Sequence, residues 1–181
     1  IPLIKFNPGK RKEPVYRLSC GMFIEECRKV SLDFPDINYE EKLIDTTAMH
    51  LITSPEEFDV VVTTNQFGDI LTDLGAGLVG SLGLAPGLCV GEHKAMAQAT
   101  HGSAPDIAGQ DIANPYALIV SSAMLLEWIG NKLKIDKANI VAKKIKQSVD
   151  TVIEAGVNIT KDIGGNSGTK EMTKAIIDNL K

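Results

Sequence analysis

The segment "NPYALIVSSAMLLEWIG", residues 114–130, constrains the fold most. Asn114 can cap a helix, Pro115 fits the first turn, where its missing N–H costs nothing, and Gly130 marks an end. Between them the helix is apolar nearly all round, so it must be buried in the core or in a subunit interface.

Two amphipathic helices follow. One covers about residues 136–155, with a stripe of Val141, Ile145, Val149 and Val152; the other covers 168–180, with Met172, Ile176 and Leu180. A Gly-rich loop, "DIGGNSGT" (162–169), separates them. Upstream, "FDVVVTT" (58–64) is a continuous β-branched run, the pattern of a strand covered on both faces. "PLIKF" (2–6), "INYEEKLID" (37–45) and "KAMAQAT" (94–100) read as further strands. Ser19 can cap a helix running to about residue 32, with Met22, Phe23, Cys27 and Val30 near one face. "GDILTDLGAGLVGSLGL" (68–84) places Ile70, Leu71, Leu74, Leu78 and Leu82 at helical rhythm. Its glycines each cost about 1 kcal/mol relative to Ala and point to close packing on a neighbour. Strands mixed with helices make an α/β protein.

At 181 residues the chain fits one domain or two small lobes. A net charge of −4 and 5% aromatic residues argue against nucleic acid, which calls for a basic stripe or a stacking surface. Cys20, Cys27 and Cys89 are odd in number and lack metal-site spacing, which fits a reduced, intracellular setting, cytoplasm or mitochondrial matrix. No apolar run reaches the roughly 20 residues a membrane span needs. The opening "IPLIKF" has no charged region before a long apolar core, so no signal peptide is expected.

Asp69 and Asp73 stand four residues apart at the predicted start of a helix, directly after a predicted strand. That spacing puts both carboxylates on one face, and a hard divalent cation takes such oxygen ligands. Acids also favour first turns through the helix dipole alone. Asp45 closes a predicted strand and can supply a third carboxylate, while Lys12 lies in a basic loop. His50 falls in a helical apolar setting and His93 has no evident partner. In "ATHGSAPDIAGQDIANP" (99–115), Gly102, Pro105 and Gly109 leave a backbone that a ligand can approach closely, and Asp106 can accept two hydrogen bonds from a diol such as an adenosine ribose.

Taken together, "NQFGDILTDLGAGLVGSLGLAPG" followed by "ATHGSAPDIAGQDIANPYALIVSSAMLLEWIG" resembles the signature region of the β-decarboxylating dehydrogenases, which include isocitrate, isopropylmalate, homoisocitrate and tartrate dehydrogenases. The resemblance implies an α/β fold with a mixed sheet flanked by helices in two lobes. Residues 1–80 would be part of a small, dimer-interface domain carrying the metal-site aspartates, and 81–181 the C-terminal part of a large cofactor-binding domain. It implies oxidation of a 2-hydroxy acid by hydride transfer to NAD, then loss of CO₂ assisted by Mg²⁺ or Mn²⁺. Asp69 and Asp73 match the family's metal carboxylates, and Asp45 matches the third, donated by a neighbouring subunit. Lys12 matches the proton-shuttling lysine, also given across the dimer interface. His101, Gly102 and Ala104 match positions lining the adenosine and phosphate region, and Asn114 matches an adenine-contacting Asn. Asp106-Ile107 is the NAD-type pair, its carboxylate repelling a 2′-phosphate.

The chain departs from the family pattern at Pro14, at Gln98 and at Leu88-Cys89. The resemblance covers about the second half of a family subunit, so these 181 residues alone are not expected to turn over substrate. "ATHGSAP" and "IGGNSG" lean towards isocitrate, with isopropylmalate or homoisocitrate as the alternative. A non-catalytic fragment or a regulatory subunit is the reading from another class.

Overall fold

The computed structural model describes residues 18–180. The predicted strand at 2–6, the basic loop with Lys12, and Pro14 lie outside the described residues. The chain forms two compact units that divide between Gly75 and Ala76.

In the first unit, α1 spans Ser19–Ser31 and α2 spans Ile44–Thr53. Ser19 is the first helical residue of α1 and makes no side-chain cap. The half-buried face of α1 is Cys20, Phe23, Ile24 and Cys27, at helical spacing, whereas Met22 and Val30 face solvent. No strand runs over 37–45. Tyr39 holds a single bridge position, and Ile44, Thr47, Ala48 and Leu51 recur every three or four residues, so the chain coils there instead. Thr47 is buried and its hydroxyl donates to the Leu43 carbonyl at 2.8 Å. A bidentate pair from Arg28 to Glu41, at 2.6 and 2.8 Å, ties α1 to the segment before α2. Residues 58–64 do not form a strand either: a β-branched run needs a neighbour to hydrogen-bond to, and no described residue provides one.

The next helix, α3, spans Asn65–Val79, starting three residues earlier than its apolar rhythm suggests and ending five earlier. Gly80, at φ 123°, breaks it in a conformation that side chains resist.

In the second unit, β1 (Pro86–Val90) and β2 (Ala95–Ala99) pair antiparallel, with Gly87 opposite Gln98. This ladder is the sheet among the described residues, narrower than the mixed sheet expected. The strand read at 94–100 is β2; its partner was hidden by Pro86-Gly87, which reads as a turn. The long apolar helix, α4, spans Tyr116–Leu133. It packs on both strands and on α5, Asp136–Ala155. Gly130 does not end α4; a Cβ there would collide with the Asn139 side chain of α5, so glycine serves close helix packing. The helix stops at Lys134, in the left-handed region at φ 56°.

The core cluster joins Val149 and Val152 of α5, Ile159, and Met172 and Ile176 of α6, Thr169–Asp178, with Tyr116, Ile119 and Val120 of α4 against it. Val141 leaves the expected α5 stripe, since Ala142 takes the buried position beside it. Fully buried Ser121 on α4 accepts from the Gly87 N–H at 3.0 Å and directs its hydroxyl to the carbonyls of Ala117 (2.6 Å) and Gln98 (3.0 Å). No helix among the described residues is long and apolar enough to cross a membrane.

Candidate functional site

In the first unit, Asp69 and Asp73 are exposed on one face of α3. Because α3 begins at Asn65, they sit in its second and third turns, and its first turn holds no acid. The dipole explanation for this pair therefore fails, since that effect fades within the first turn. Asp69 accepts from the Asn65 amide at 3.1 Å. Neither carboxylate has a basic partner among the described residues. Two exposed carboxylates one turn apart, with no basic partner among the described residues, are a donor set that fits a hard cation, which takes one or two such groups and completes its shell with substrate and water.

Asp45 is differently placed. It stands in the first turn of α2, where its carboxylate accepts from the Thr46 N–H at 2.7 Å. It borders an apolar cavity of about 330 Å³ in this unit, lined also by Phe23, Tyr39, Leu43 and Phe67. Among the described residues no three acidic, histidine or cysteine side chains converge to hold a metal, so Asp45 does not join Asp69 and Asp73 within one chain. His50 instead faces Glu57 at 3.0 Å, and Lys42 reaches the same carboxylate at 2.7 Å, fastening the end of α2.

The second unit holds the loop after β2. His101 Nδ1 lies 2.9 Å from the Gly102 carbonyl. A carbonyl only accepts, so Nδ1 carries the proton and, in the neutral ring, Nε2 is left as an acceptor. A Cβ on Gly102 would meet nothing within 4 Å, so the backbone there is open to a ligand. Ala104 is left-handed, at φ 42°, a costly conformation for a residue with a side chain. It turns the chain into a short 3₁₀ turn, Pro105–Ile107, with the Ile107 N–H on the Ala104 carbonyl at 3.1 Å. That turn carries exposed Asp106, whose carbonyl takes the Gln110 amide at 2.7 Å. Its carboxylate has no partner among the described residues. Ile107 is half-buried.

Asn114 is buried, 9% exposed, and its side chain is committed. Its Oδ1 accepts from the Tyr116 N–H at 3.0 Å, capping α4, and its Nδ2 donates to Asp162 at 3.1 Å. Asp162 also accepts from Ser81 at 2.6 Å. A Cβ on Gly83 would lie 2.7 Å from that of Asn114, so only glycine lets the segment after α3 close on this hub.

Burial pushes the Asp162 carboxyl up, but hydrogen bonds from Ser81, Thr160 and Asn114 outweigh it and hold the group below the ordinary 3.8. A depressed native value means stability that is full above the ordinary value and lost as pH falls through the native one. The melting-temperature advantage of the wild type over Asp162→Asn should therefore hold from pH 7 to 5 and close below about 3.8. An advantage that does not shrink at all as pH falls below about 3.8 would rule out the charge as its source.

Sequence reasoning missed Ser81, Asp162 and also Asp111, which sits at φ 56°. Asp111 caps α6: its carbonyl accepts from the Thr169 N–H at 2.9 Å and its carboxylate from the Lys170 N–H at 3.1 Å.

A model of the isocitrate/isopropylmalate dehydrogenase family matches residues 10–176. An isocitrate/homoisocitrate dehydrogenase of Thermus thermophilus is 46% identical over 170 residues, 94% of this chain and 48% of the relative. A mitochondrial catalytic subunit of NAD isocitrate dehydrogenase from Arabidopsis thaliana is 45% identical, over 93% of this chain and 44% of the relative. The crystal structure of isocitrate dehydrogenase from Methylococcus capsulatus superposes with a TM-score of 0.83 at 42% identity, covering 92% of this chain and 48% of that one. The chain spans about half the length of these proteins.

Proposed function

Because the chain belongs to the isocitrate/isopropylmalate dehydrogenase family, we propose that it supplies the metal carboxylates and the adenosine side of an enzyme that oxidises isocitrate with NAD and releases CO₂. Family membership makes its relatives decarboxylating dehydrogenases and its fold α/β, of the isocitrate dehydrogenase type. Relatives named for isopropylmalate and homoisocitrate also match, so isocitrate is the finer part of the proposal. The observation that carries the reading is Asp106, whose carboxylate has no partner among the described residues and stands exposed on the 3₁₀ turn that left-handed Ala104 opens.

In this reading the open backbone at His101 and Gly102 with Ala104 borders the phosphates, and Ile107 packs beside the ribose. Asp106 accepts the ribose hydroxyls and repels a 2′-phosphate. Asp69 and Asp73, with Asp45 of a neighbouring subunit, hold Mg²⁺ or Mn²⁺. Such a cation would supply Lewis-acid stabilisation of the charge that builds up on the substrate oxygens. Lys12, brought across a dimer interface, moves the hydroxyl proton. The active protein is an oligomer of the cytoplasm or mitochondrial matrix, with a small 2-hydroxy acid as substrate.

Asp106→Lys should weaken NAD about tenfold and improve NADP, measured by calorimetry on the chain; unchanged NAD affinity removes this role from Asp106. Reduction of NAD with isocitrate and Mn²⁺ by the chain joined to the N-terminal half of a relative, set against isopropylmalate and homoisocitrate, tests the substrate. Activity with isopropylmalate alone replaces isocitrate. Pro14, Gln98 and a relative named as a regulatory subunit favour a second reading, a non-catalytic subunit. NAD binding without turnover of any substrate, even when the chain is joined to the N-terminal half of a relative, would support it.

A further inference from the structure

We infer that Asp111 is a positioning residue for the loop that presents Asp106, fixing that loop to the first turn of α6. The inference rests on the NAD reading for its effect on binding, but not for its effect on the loop. Among the described residues, hydrogen bonds of residues 101–110 run within the loop itself: Ile107 N–H to Ala104, Ala108 to Pro105, Gln110 to Ile107, and the Gln110 amide to Asp106. The shape of this segment therefore depends on its two ends. Upstream, the Thr100 N–H is held by the Ala85 carbonyl at 3.1 Å.

Downstream the hold is Asp111. It takes the Thr169 N–H on its carbonyl and the Lys170 N–H on its carboxylate, while the Thr169 hydroxyl donates to the Ala113 carbonyl. A Cβ on Gly168 would come 2.7 Å from the Asp111 carbonyl, so the two segments touch at backbone distance. The far face of α6 is anchored in the core by Met172 and Ile176. Asp111 is left-handed at φ 56° and Gly109 at φ 78°, so the chain bends on both sides of Gln110. Aspartate is among the few side chains that accept this conformation. Gln110 then carries the fixed end back to Asp106 and Ile107. A continuous run of contacts thus leads from the core through α6 and Asp111 to the carboxylate presented at 106.

The test compares Asp111→Ala, Asp111→Asn and Asp111→Gly in the 181-residue chain. It follows amide exchange at Thr169, Lys170, Ile107 and Gln110, with calorimetry of NAD and AMP. Asp111→Ala should speed exchange at all four amides by about tenfold or more and weaken NAD and AMP by the same factor, about tenfold. Asp111→Asn keeps an acceptor and tolerates the bend, so it should stay within about twofold of wild type. Asp111→Gly keeps the bend and the main-chain half of the cap but loses the carboxylate half, and supplies the same comparison if the alanine variant does not fold. Faster exchange confined to Thr169 and Lys170, with NAD affinity intact, would make Asp111 a helix cap only and overturn the inference. A wild type that binds no NAD would sink the cofactor reading, while exchange at Ile107 and Gln110 would still decide whether Asp111 holds the loop.

Discussion

Gly165→Ala is expected to lower the stability of the chain by about 3 kcal/mol or more, at the upper end of overpacking costs. A Cβ at this position would run into the Ile159 carbonyl and lie 2.6 Å from the Ile159 Cγ1. Neither side can move away cheaply. The Gly165 N–H donates to Thr160 and the Ser167 N–H to Ile159, each at 3.0 Å, and Thr160 pairs with Ser167 in a parallel bridge. Ile159 belongs to the core cluster and Thr160 is fully buried. Relief of the collision must therefore open two backbone hydrogen bonds or shift the core. Gly102→Ala is the control: a Cβ there meets nothing within 4 Å, and its φ is not in the left-handed range, so the change should stay within about 0.5 kcal/mol. Urea melts of the three proteins decide it, and equal midpoints would mean that the segment around 165 is far softer than described.

Asp69→Asn and Asp73→Asn should each weaken Mn²⁺ binding on the order of 100-fold or more, since even groups behind a metal's own ligands cost 10- to 100-fold when lost. The same changes should raise stability slightly. Like charges four residues apart on a helix repel by a few tenths of a kcal/mol, and neutralising one relieves this. Poorer metal binding in a marginally more stable protein is the signature of a pair kept for a ligand. Mn²⁺ titration followed by electron paramagnetic resonance, beside thermal melts, reads both. Unchanged Mn²⁺ affinity in both variants would leave these carboxylates as ordinary surface acids.

Elements with a self-contained pattern were legible in the sequence. The helix expected over about 136–155 forms at Asp136–Ala155, since Val149 and Val152 keep its apolar stripe even though Val141 leaves it, and Met172 and Ile176 are buried as the spacing demands. Strands were less legible, because a strand is defined by its partner. Residues 58–64 have strand composition without a ladder among the described residues, while Pro86–Val90 opens on a Pro-Gly pair with turn character and yet lies within one. "INYEEKLID" alternates over a few residues, but the longer repeat from Ile44 to Leu51 prevails. In the candidate site, the loop residues stand out because their chemistry is local. The hub that supports them does not: Asn114 and Ser81 meet Asp162 from 48 and 81 residues away, and no local pattern encodes such a meeting.

Ser121 bears on how this protein can evolve. It grips the hairpin through main-chain atoms only, the Gly87 N–H and the Gln98 carbonyl. Position 87 is closed to change, since a Cβ there would lie 2.8 Å from that same carbonyl. Position 98 is the opposite: its side chain is exposed while its backbone is tethered. Mutation there can alter charge and size a few residues before His101 without moving the strand that leads into the loop. A lineage can thus explore new chemistry at 98 while the scaffold beneath it stands still.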